Sequence, residues 1–171
     1  MHRKGFTLIE LLAVLAIVGI VAGIGYPQLL QFIQNQKAIS ATNQLLGIIN
    51  FTRNYAVSSG EPTTLCPSSN GKTCLNDWKH PLYVFVDSNN NQVIDSDETI
   101  LRKLQSATEI EITWQSWGGN KYLQYQPSGF TYKQNGTFYI CSIHQASTAN
   151  NSIVINRGGR PRVSSNKEPK C

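Results

Sequence analysis

Hydrophobic residues fill the beginning of the chain almost without interruption. Residues 11–25 contain no polar side chain, and Tyr26 is the only ionisable residue between Glu10 and Lys37. At ~1.5 Å per residue, the segment 6–30 would form a helix about 37 Å long, enough to cross a hydrocarbon core of about 30 Å. The pattern therefore predicts a membrane-spanning helix near the N-terminus.

The residues around this apolar run set its orientation and argue against an ordinary secretory signal. Arg3 and Lys4 precede the run and place the N-terminus in the cytoplasm by the positive-inside rule. The nearest small-x-small cleavage site, at residues 22–25, lies inside a helical pattern that continues beyond it. A carboxylate in an apolar segment costs on the order of a few kcal/mol, so Glu10 indicates a functional role.

Helical periodicity continues past the membrane segment. Apolar positions recur at steps of three and four, while the opposite face is polar but hardly charged. Gly60 and Pro62 are typical of a helix C-terminus, so we expect one helix of about 50 residues. Gly23, Gly25 and Pro27 predict a kink or local melting near its middle. The apolar positions of the second half are Leu30, Ile33, Ala38, Ala41, Leu45, Ile48, Thr52 and Ala56.

After residue 62 the pattern changes to alternation with a period of two. Segments rich in β-branched and aromatic residues are separated by clusters of Gly, Asn, Pro and Ser, which is typical of strands joined by turns. We expect an antiparallel sheet folded against the second half of the helix, and so an α+β fold. The predicted strands are Leu82–Asp87, Thr99–Leu104, Ile110–Trp114, Lys121–Gln126, Thr137–Ser142 and Ser152–Asn156.

Composition narrows the classes of function. Charged residues make up 15% of the chain, against about 25% in an ordinary globular protein, and with the membrane segment this excludes a simple cytosolic enzyme. His80 and His144 belong to no acid–base or metal-ligating pattern, so we expect no enzyme, no cofactor and no metal site.

Trp114 and Trp117 fall at the end of a predicted strand. We expect them to pack in the core, although an exposed ring would offer a stacking surface.

Four cysteines lie in the part of the chain that should be exported, where disulfides are typical. Of the three pairings, we favour Cys66 with Cys74, which closes a short loop, and Cys141 with Cys171, which would tether the C-terminus. A zinc site is the other interpretation, but the spacing lacks a Cys-x-x-Cys pair.

An acidic, asparagine-rich segment at residues 87–98 has the spacing of a calcium loop. Its candidate ligands at EF-hand positions 1, 3, 5, 7, 9 and 12 are Asp87, Asn89, Asn91, the Val93 carbonyl, Asp95 and Glu98. However, Gln92 stands where such a loop needs Gly, and the flanking segments are strand-like rather than helical. We therefore favour a hairpin turn over a calcium site.

The first ten residues resemble the class III leader of type IV pilins and type II secretion pseudopilins. The resemblance rests on Arg-Lys-Gly followed by Phe-Thr-Leu-Ile-Glu. It implies cleavage between Gly5 and Phe6 by a prepilin peptidase on the cytoplasmic face, and N-methylation of Phe6. It also implies that the Glu10 carboxylate pairs with the Phe6 ammonium of a neighbouring subunit, which would compensate an otherwise unpaired charge.

The acidic, asparagine-rich segment at residues 87–98 resembles a hairpin found at the same place in the GspH/FimT family of minor pilins, so the resemblance extends to that family. That resemblance implies the type IV pilin fold, in which a long kinked N-terminal helix packs on an antiparallel sheet. It divides the chain into a leader (1–5), a membrane or filament-core half-helix (6–30) and a globular domain (31–171). The implied location is the inner membrane, with a cytoplasmic N-terminus, before assembly with other major and minor pilins into an extracellular type IV pilus.

A basic tail closes the chain. Residues 157–170 hold five cations and one acid. Pro161 favours an extended backbone, so Arg160 and Arg162 would face the same way, about 6.6 Å apart, as a two-pronged clamp for phosphate. Gly159 would let a phosphate backbone approach closely. The other interpretation is a solvated, solubilising end.

The segment Gly-Arg-Pro-Arg at 159–162 matches the Gly-Arg-x-Arg motif of the FimT-type, DNA-binding members of this family. The match implies DNA contact by Arg160 and Arg162; Arg157 and Lys167 are added from charge alone. We expect a minor pilin that binds extracellular double-stranded DNA without sequence preference, for uptake in natural transformation. The alternatives are a minor pilin or H-type pseudopilin that acts only in filament priming and assembly, and a calcium-stabilised adhesin.

Overall fold

The computed structural model describes residues 7–106, 109–119, 121–131, 134–143 and 151–164. In this part of the chain one long helix, α1 (Leu8–Ser59), is followed by eight strands. The strands are β1 (Thr63–Pro67), β2 (Leu82–Val86), β3 (Ile100–Leu104), β4 (Ile110–Ser116), β5 (Leu123–Tyr125), β6 (Gly136–Ser142), β7 (Asn151–Ile155) and β8 (Pro161–Ser164).

Both ends of α1 are capped by the residues around them. Thr7 and Glu10 form a capping box: the Glu10 carboxylate accepts from the Thr7 backbone N–H at 3.0 Å, and the Thr7 hydroxyl accepts from the Glu10 N–H at 3.4 Å. At the other end Gly60 adopts a left-handed conformation, with φ 75°, and its N–H donates to the Ala56 carbonyl at 3.1 Å. The predicted helix C-terminus is therefore confirmed.

The two halves of α1 have different surroundings. The first half is exposed from residue 7 to residue 33, and α1 is long and apolar enough to cross a membrane, with a mean hydropathy of 2.6 in its most apolar stretch. The first buried residue is Ala38. The helix is continuous through Gly23, Gly25 and Pro27, so the local melting suggested by the sequence does not occur in this structure.

The strands form two antiparallel four-stranded sheets rather than the one sheet expected. The first has the order β3-β2-β1-β5 and the second β4-β6-β7-β8, and α1 contacts strands of both. All six predicted strands are present within a few residues of their expected bounds. β1 and β8 were not predicted. β1 lies in the centre of the first sheet, and β8 forms one edge of the second.

The core lies between the second half of α1 and the two sheets. The buried face of the helix includes Ala38, Leu45 and Ile49. Against it lies an aromatic cluster in which the Phe138 ring is 4.1 Å from that of Trp114 and 4.8 Å from that of Trp78, measured between centroids. Trp78 and Trp114 are each 1% exposed. The prediction of core packing is thus confirmed for Trp114 and wrong for Trp117, which is 85% exposed. The buried apolar residues of the described chain begin at Ala38, so the exposed first half of α1 adds nothing to this core.

The predicted pairing of Cys66 with Cys74 is present and links the end of β1 to the loop that follows it. Cys141, in β6, is also disulfide-bonded. Its expected partner, Cys171, lies outside the described residues.

Candidate nucleic-acid interface

The predicted arginines lie on a tight hairpin that joins β7 to β8. The Gly159 N–H donates to the Asn156 carbonyl at 2.9 Å, which closes a four-residue turn with Arg157 in its second position. Gly159 has φ 72°. Glycine reaches this left-handed conformation without a steric cost, and a left-handed glycine at the end of a turn is a common way to enter the second strand of a hairpin.

Gly159 is buried against a second loop. A Cβ atom at this position would lie 2.2 Å from the Gly129 carbonyl oxygen and 2.8 Å from the ring of Tyr125. The Tyr125 hydroxyl also donates to the Gly159 carbonyl at 3.0 Å, and burial raises the pKa of that hydroxyl well above its usual value. The missing side chain therefore makes room for protein, and the structure corrects the expectation that Gly159 admits a phosphate.

The loop of residues 126–131 ties the hairpin to the long helix. The Thr131 N–H donates to the Arg157 carbonyl at 3.3 Å, and the Arg53 Nε in α1 donates to the Gly129 carbonyl at 3.1 Å. Each contact joins segments that are distant in sequence. The backbone that carries the arginines is consequently held on two sides before any ligand binds.

Arg157, Arg160 and Arg162 are all exposed. Arg162 pairs with Val154 across the β7–β8 ladder, and directly opposed side chains lie on the same face of a sheet. Ile153 and Ile155 on either side of Val154 are buried, so Val154 and Arg162 belong to the solvent-facing side.

The ion pairs in the described ranges involve other residues, namely Lys37 with Glu109, Lys79 with Glu111 and His80 with Asp77. Within those ranges the three tail arginines have no carboxylate partner. Guanidinium groups in this setting remain available for the planar, bidentate contacts that phosphate accepts. Lys167, the fourth predicted cation, lies outside the described residues.

A family model described as type II transport protein GspH matches residues 41–159. The chain belongs to the GspH family. A second model, described as the prokaryotic N-terminal methylation motif, matches residues 1–26 of the GspH-family protein. This motif therefore includes the first ten residues, which resemble a prepilin leader.

The chain is also similar to a known fimbrial protein in sequence and to two solved structures in fold. The type IV major fimbrial protein FimA of Dichelobacter nodosus is 37% identical over 79 residues, which is 44% of this chain and 43% of FimA, so the match spans less than half of that relative. The type IV minor pilin FimU of Pseudomonas aeruginosa superposes with a TM-score of 0.60 at 19% identity, covering 80% of this chain and 95% of FimU. The minor pseudopilin EpsH from the type 2 secretion system of Vibrio cholerae gives a TM-score of 0.53 at 12% identity, covering 76% and 97%.

These likenesses confirm the predicted α+β pilin fold. The GspH-family protein is a type IV pilin or pseudopilin, and such proteins are structural rather than enzymatic. Its apolar N-terminal helix and methylation motif fit anchoring in the inner membrane before assembly into an extracellular pilus, and the motif implies processing by a prepilin peptidase. Phe6 and Gly5, the predicted processing residues, lie outside the described residues.

The acidic hairpin of the GspH-family protein is closed by its own hydrogen bonds. Asp95 Oδ2 accepts from the side-chain amides of Asn89 and Asn91 at 2.9 and 2.8 Å, and these bonds lower the pKa of Asp95. Gln92 adopts φ 59° without being Gly. Within the described ranges, His, Cys, Asp and Glu side chains form no group of three or more that could hold a metal. The arrangement supports a turn as the role of this segment.

The buried end of the same hairpin is anchored at Asp87, which is 0% exposed. Its Oδ2 accepts from Thr64 Oγ1 and Gln124 Nε2, both at 2.9 Å, and from the Gln92 N–H at 3.2 Å. Burial nevertheless raises the pKa of Asp87 above its usual value, and burial also raises that of Glu98. Asp87 thus fixes the hairpin to β1 and β5.

Sequence reasoning missed the residues that position the site. Arg53 and Gly129 are 76 positions apart, and their contact follows from the fold. Tyr125 lay within a predicted strand, and a hydroxyl on a buried strand residue does signal a hydrogen-bond partner without naming it. The sequence could therefore identify the exposed cations but not the contacts that hold them.

Proposed function

We propose that this protein is a minor type IV pilin that binds extracellular double-stranded DNA through its C-terminal hairpin, for DNA uptake in natural transformation. The observation that carries the proposal is the clustering of Arg157, Arg160 and Arg162 on one anchored turn and strand, as exposed cations with no carboxylate partner among the described residues. Phosphate contacts by arginine supply affinity without reading sequence. The pilus would present this hairpin outside the cell.

The anchoring of the turn supports binding rather than simple solubilisation. A solubilising tail needs charge but no defined backbone. Here the backbone around Gly159 is fixed by Tyr125, Gly129 and, through the loop, Arg53. A fixed backbone reduces the ordering cost of binding, because fewer residues must be immobilised when the ligand arrives.

The strength of binding can be bounded from the number of cations. Two to four phosphate contacts give a slope of roughly −2 to −4 for log K against log salt concentration. A single hairpin should therefore bind duplex DNA weakly at physiological salt. Several copies in one filament would bind more tightly through avidity.

The test is a titration of random-sequence duplex DNA into the full chain in non-ionic detergent, at several salt concentrations. We expect the Arg160→Gln/Arg162→Gln variant to lose at least about tenfold in affinity and to lower the salt slope by about 2. The matched control is Lys72→Gln/Lys103→Gln, which removes two exposed cations elsewhere on the domain. It should change affinity by no more than about threefold, since those charges act only through the long-range field.

Melting temperature and monodispersity of each variant show whether its fold is intact. The proposal fails if the parent does not bind duplex DNA. It also fails if both double variants lose the same affinity, because binding would then depend on net charge alone.

The N-terminal half of the chain supports a second, compatible role in filament assembly. We propose that residues 1–5 are removed, that residues 6–30 form the membrane and filament-core segment, and that residues 31–171 are presented outside. The Glu10 carboxylate, which caps its own helix in the single chain, would also pair with the terminal ammonium of a neighbouring subunit.

Glu10→Gln separates the two roles of this side chain. Gln keeps an oxygen that can accept from the Thr7 N–H but removes the negative charge. We expect unchanged helix content by circular dichroism and a large loss of the protein from sheared pili. Normal incorporation of the variant would show that the charge is not needed for assembly.

A further inference from the structure

Two large aromatic rings lie exposed beside the arginine hairpin. Trp117 is 85% exposed and Phe130 is 56% exposed, although Trp78 and Trp114 are almost completely buried. The backbone at Trp117 is well positioned, because its N–H donates to the Asn135 carbonyl at 3.1 Å. An exposed tryptophan on a defined backbone is a ready surface for a planar ligand.

The two rings line one groove of about 660 Å³. Its other walls include Gln126, Thr131 and Arg157, so it combines aromatic faces, an amide, a hydroxyl and a guanidinium group. No carboxylate is among the described residues that line it. This chemistry fits an anionic ligand with a flat aromatic part and hydrogen-bonding edges.

The groove is continuous with the proposed DNA site. Arg157 belongs to both, and the Thr131 N–H on the groove wall donates to the Arg157 carbonyl. The loop that carries Phe130 is closed by the Gln126 N–H, which donates to the Phe130 carbonyl at 3.0 Å, and it packs against Gly159 through Gly129. A strand whose phosphates contact Arg160 and Arg162 would therefore pass close to the groove.

We propose that this groove holds an unpaired nucleobase of the bound DNA, stacked on Trp117 and Phe130, with Arg157 on an adjacent phosphate. The inference rests on the proposed DNA-binding function and narrows its substrate. Bases inside a duplex are stacked on their neighbours and cannot enter without being extruded, which costs free energy. Bases at a single-stranded end or gap can enter at little cost, so the protein should prefer DNA with unpaired nucleotides over blunt duplex.

The first readout is tryptophan fluorescence of the full chain in detergent. Because Trp78 and Trp114 are each 1% exposed, quenching by a stacked base reports on Trp117. We expect a duplex with a five-nucleotide overhang to quench this emission and a blunt duplex of the same sequence to quench it much less. Equal quenching by the two would overturn the inference.

The second readout is affinity for the same two DNAs. Base stacking on an aromatic side chain is lost on substitution by alanine at a cost of about 5- to 150-fold in binding. We expect Trp117→Ala and Phe130→Ala to lower affinity for overhang DNA by about that factor and to change affinity for blunt duplex by less than about twofold. Ile100→Ala, which truncates an exposed apolar side chain on β3, is the control and should change neither.

The outcomes separate the inference from the proposed function. If the parent binds blunt and overhang DNA equally, or if Trp117→Ala weakens both equally, the proposal that the groove holds an unpaired base is wrong. The proposed DNA contact by Arg160 and Arg162 then still stands. If the parent binds neither DNA, both proposals are wrong.

Discussion

Replacing Gly159 by alanine probes the turn on which the proposed interface depends. Its φ of 72° lies in the left-handed region, which costs an L-residue about 1–2 kcal/mol. The added Cβ would lie 2.2 Å from the Gly129 carbonyl oxygen, a backbone atom that cannot rotate away. One of the two backbone segments must therefore move.

The movement would disturb a second interaction. The Gly159 carbonyl accepts from Tyr125 at 3.0 Å inside the protein. A typical hydrogen bond contributes about 1 kcal/mol, and leaving a buried partner unsatisfied costs about 1–3 kcal/mol. With the backbone strain, we expect Gly159→Ala to lower the free energy of unfolding by about 2–4 kcal/mol.

The assay is denaturant unfolding of the full chain in detergent, followed by the fluorescence of the buried Trp78 and Trp114. Gly158→Ala is the matched control, because its Cβ would meet only the Asn156 side-chain oxygen, at 3.3 Å, and this oxygen can move. We expect that control to cost less than about 1 kcal/mol. Equal midpoints for the two variants would refute the account of how the turn is held.

Three further predictions concern groups around this framework. Tyr125→Phe leaves the Gly159 carbonyl without its donor and should lower the free energy of unfolding by about 1–2 kcal/mol, measured by denaturant unfolding. The raised pKa of Asp87 means that the folded protein binds more protons than the unfolded chain just above the ordinary value of 3.8. Stability should therefore fall as pH rises through that window, and Asp87→Asn should reduce this dependence in melting curves. A stability profile against pH that is the same in Asp87→Asn as in the parent would contradict the raised pKa of Asp87. Replacing Cys66 and Cys74 by serine opens a loop with a separation of 8 residues, and chain entropy predicts a loss of about 2.5 kcal/mol. A melting temperature that does not fall would show that the bond adds no stability.

Much of the architecture follows from local signals in the sequence. The end of α1 is marked by Gly60 and Pro62, and the period of two after residue 62 locates six strands. β1 was not predicted because its residues, Thr-Thr-Leu-Cys-Pro, include only one large apolar side chain and end on a proline, so the segment lacks the usual signal of a strand. β8 escaped because an edge strand that contains Pro161 and Arg162 has little β propensity of its own. Its pairing with β7 stabilises it.

The candidate site was likewise only partly predictable from the sequence. Arg160 and Arg162 could be identified because their charge and the motif that contains them lie within a few consecutive residues. The role of Gly159 was not, since its crowding comes from Gly129 and Tyr125, which approach only in the folded chain. Division of the strands into two sheets likewise depends on which strands pair, and strands separated by turns can pair in more than one order.

The position of β8 at the edge of its sheet affects whether copies of the protein aggregate. An unpaired strand edge offers N–H and C=O groups to any similar strand nearby and can begin aggregation. Pro161 presents no N–H, and Arg162 places a positive charge on the same edge. Where many subunits are crowded together, like charges on their edges would repel one another and keep the sheets from joining. Removing the arginines would therefore alter the colloidal behaviour of the protein as well as its affinity for an anion.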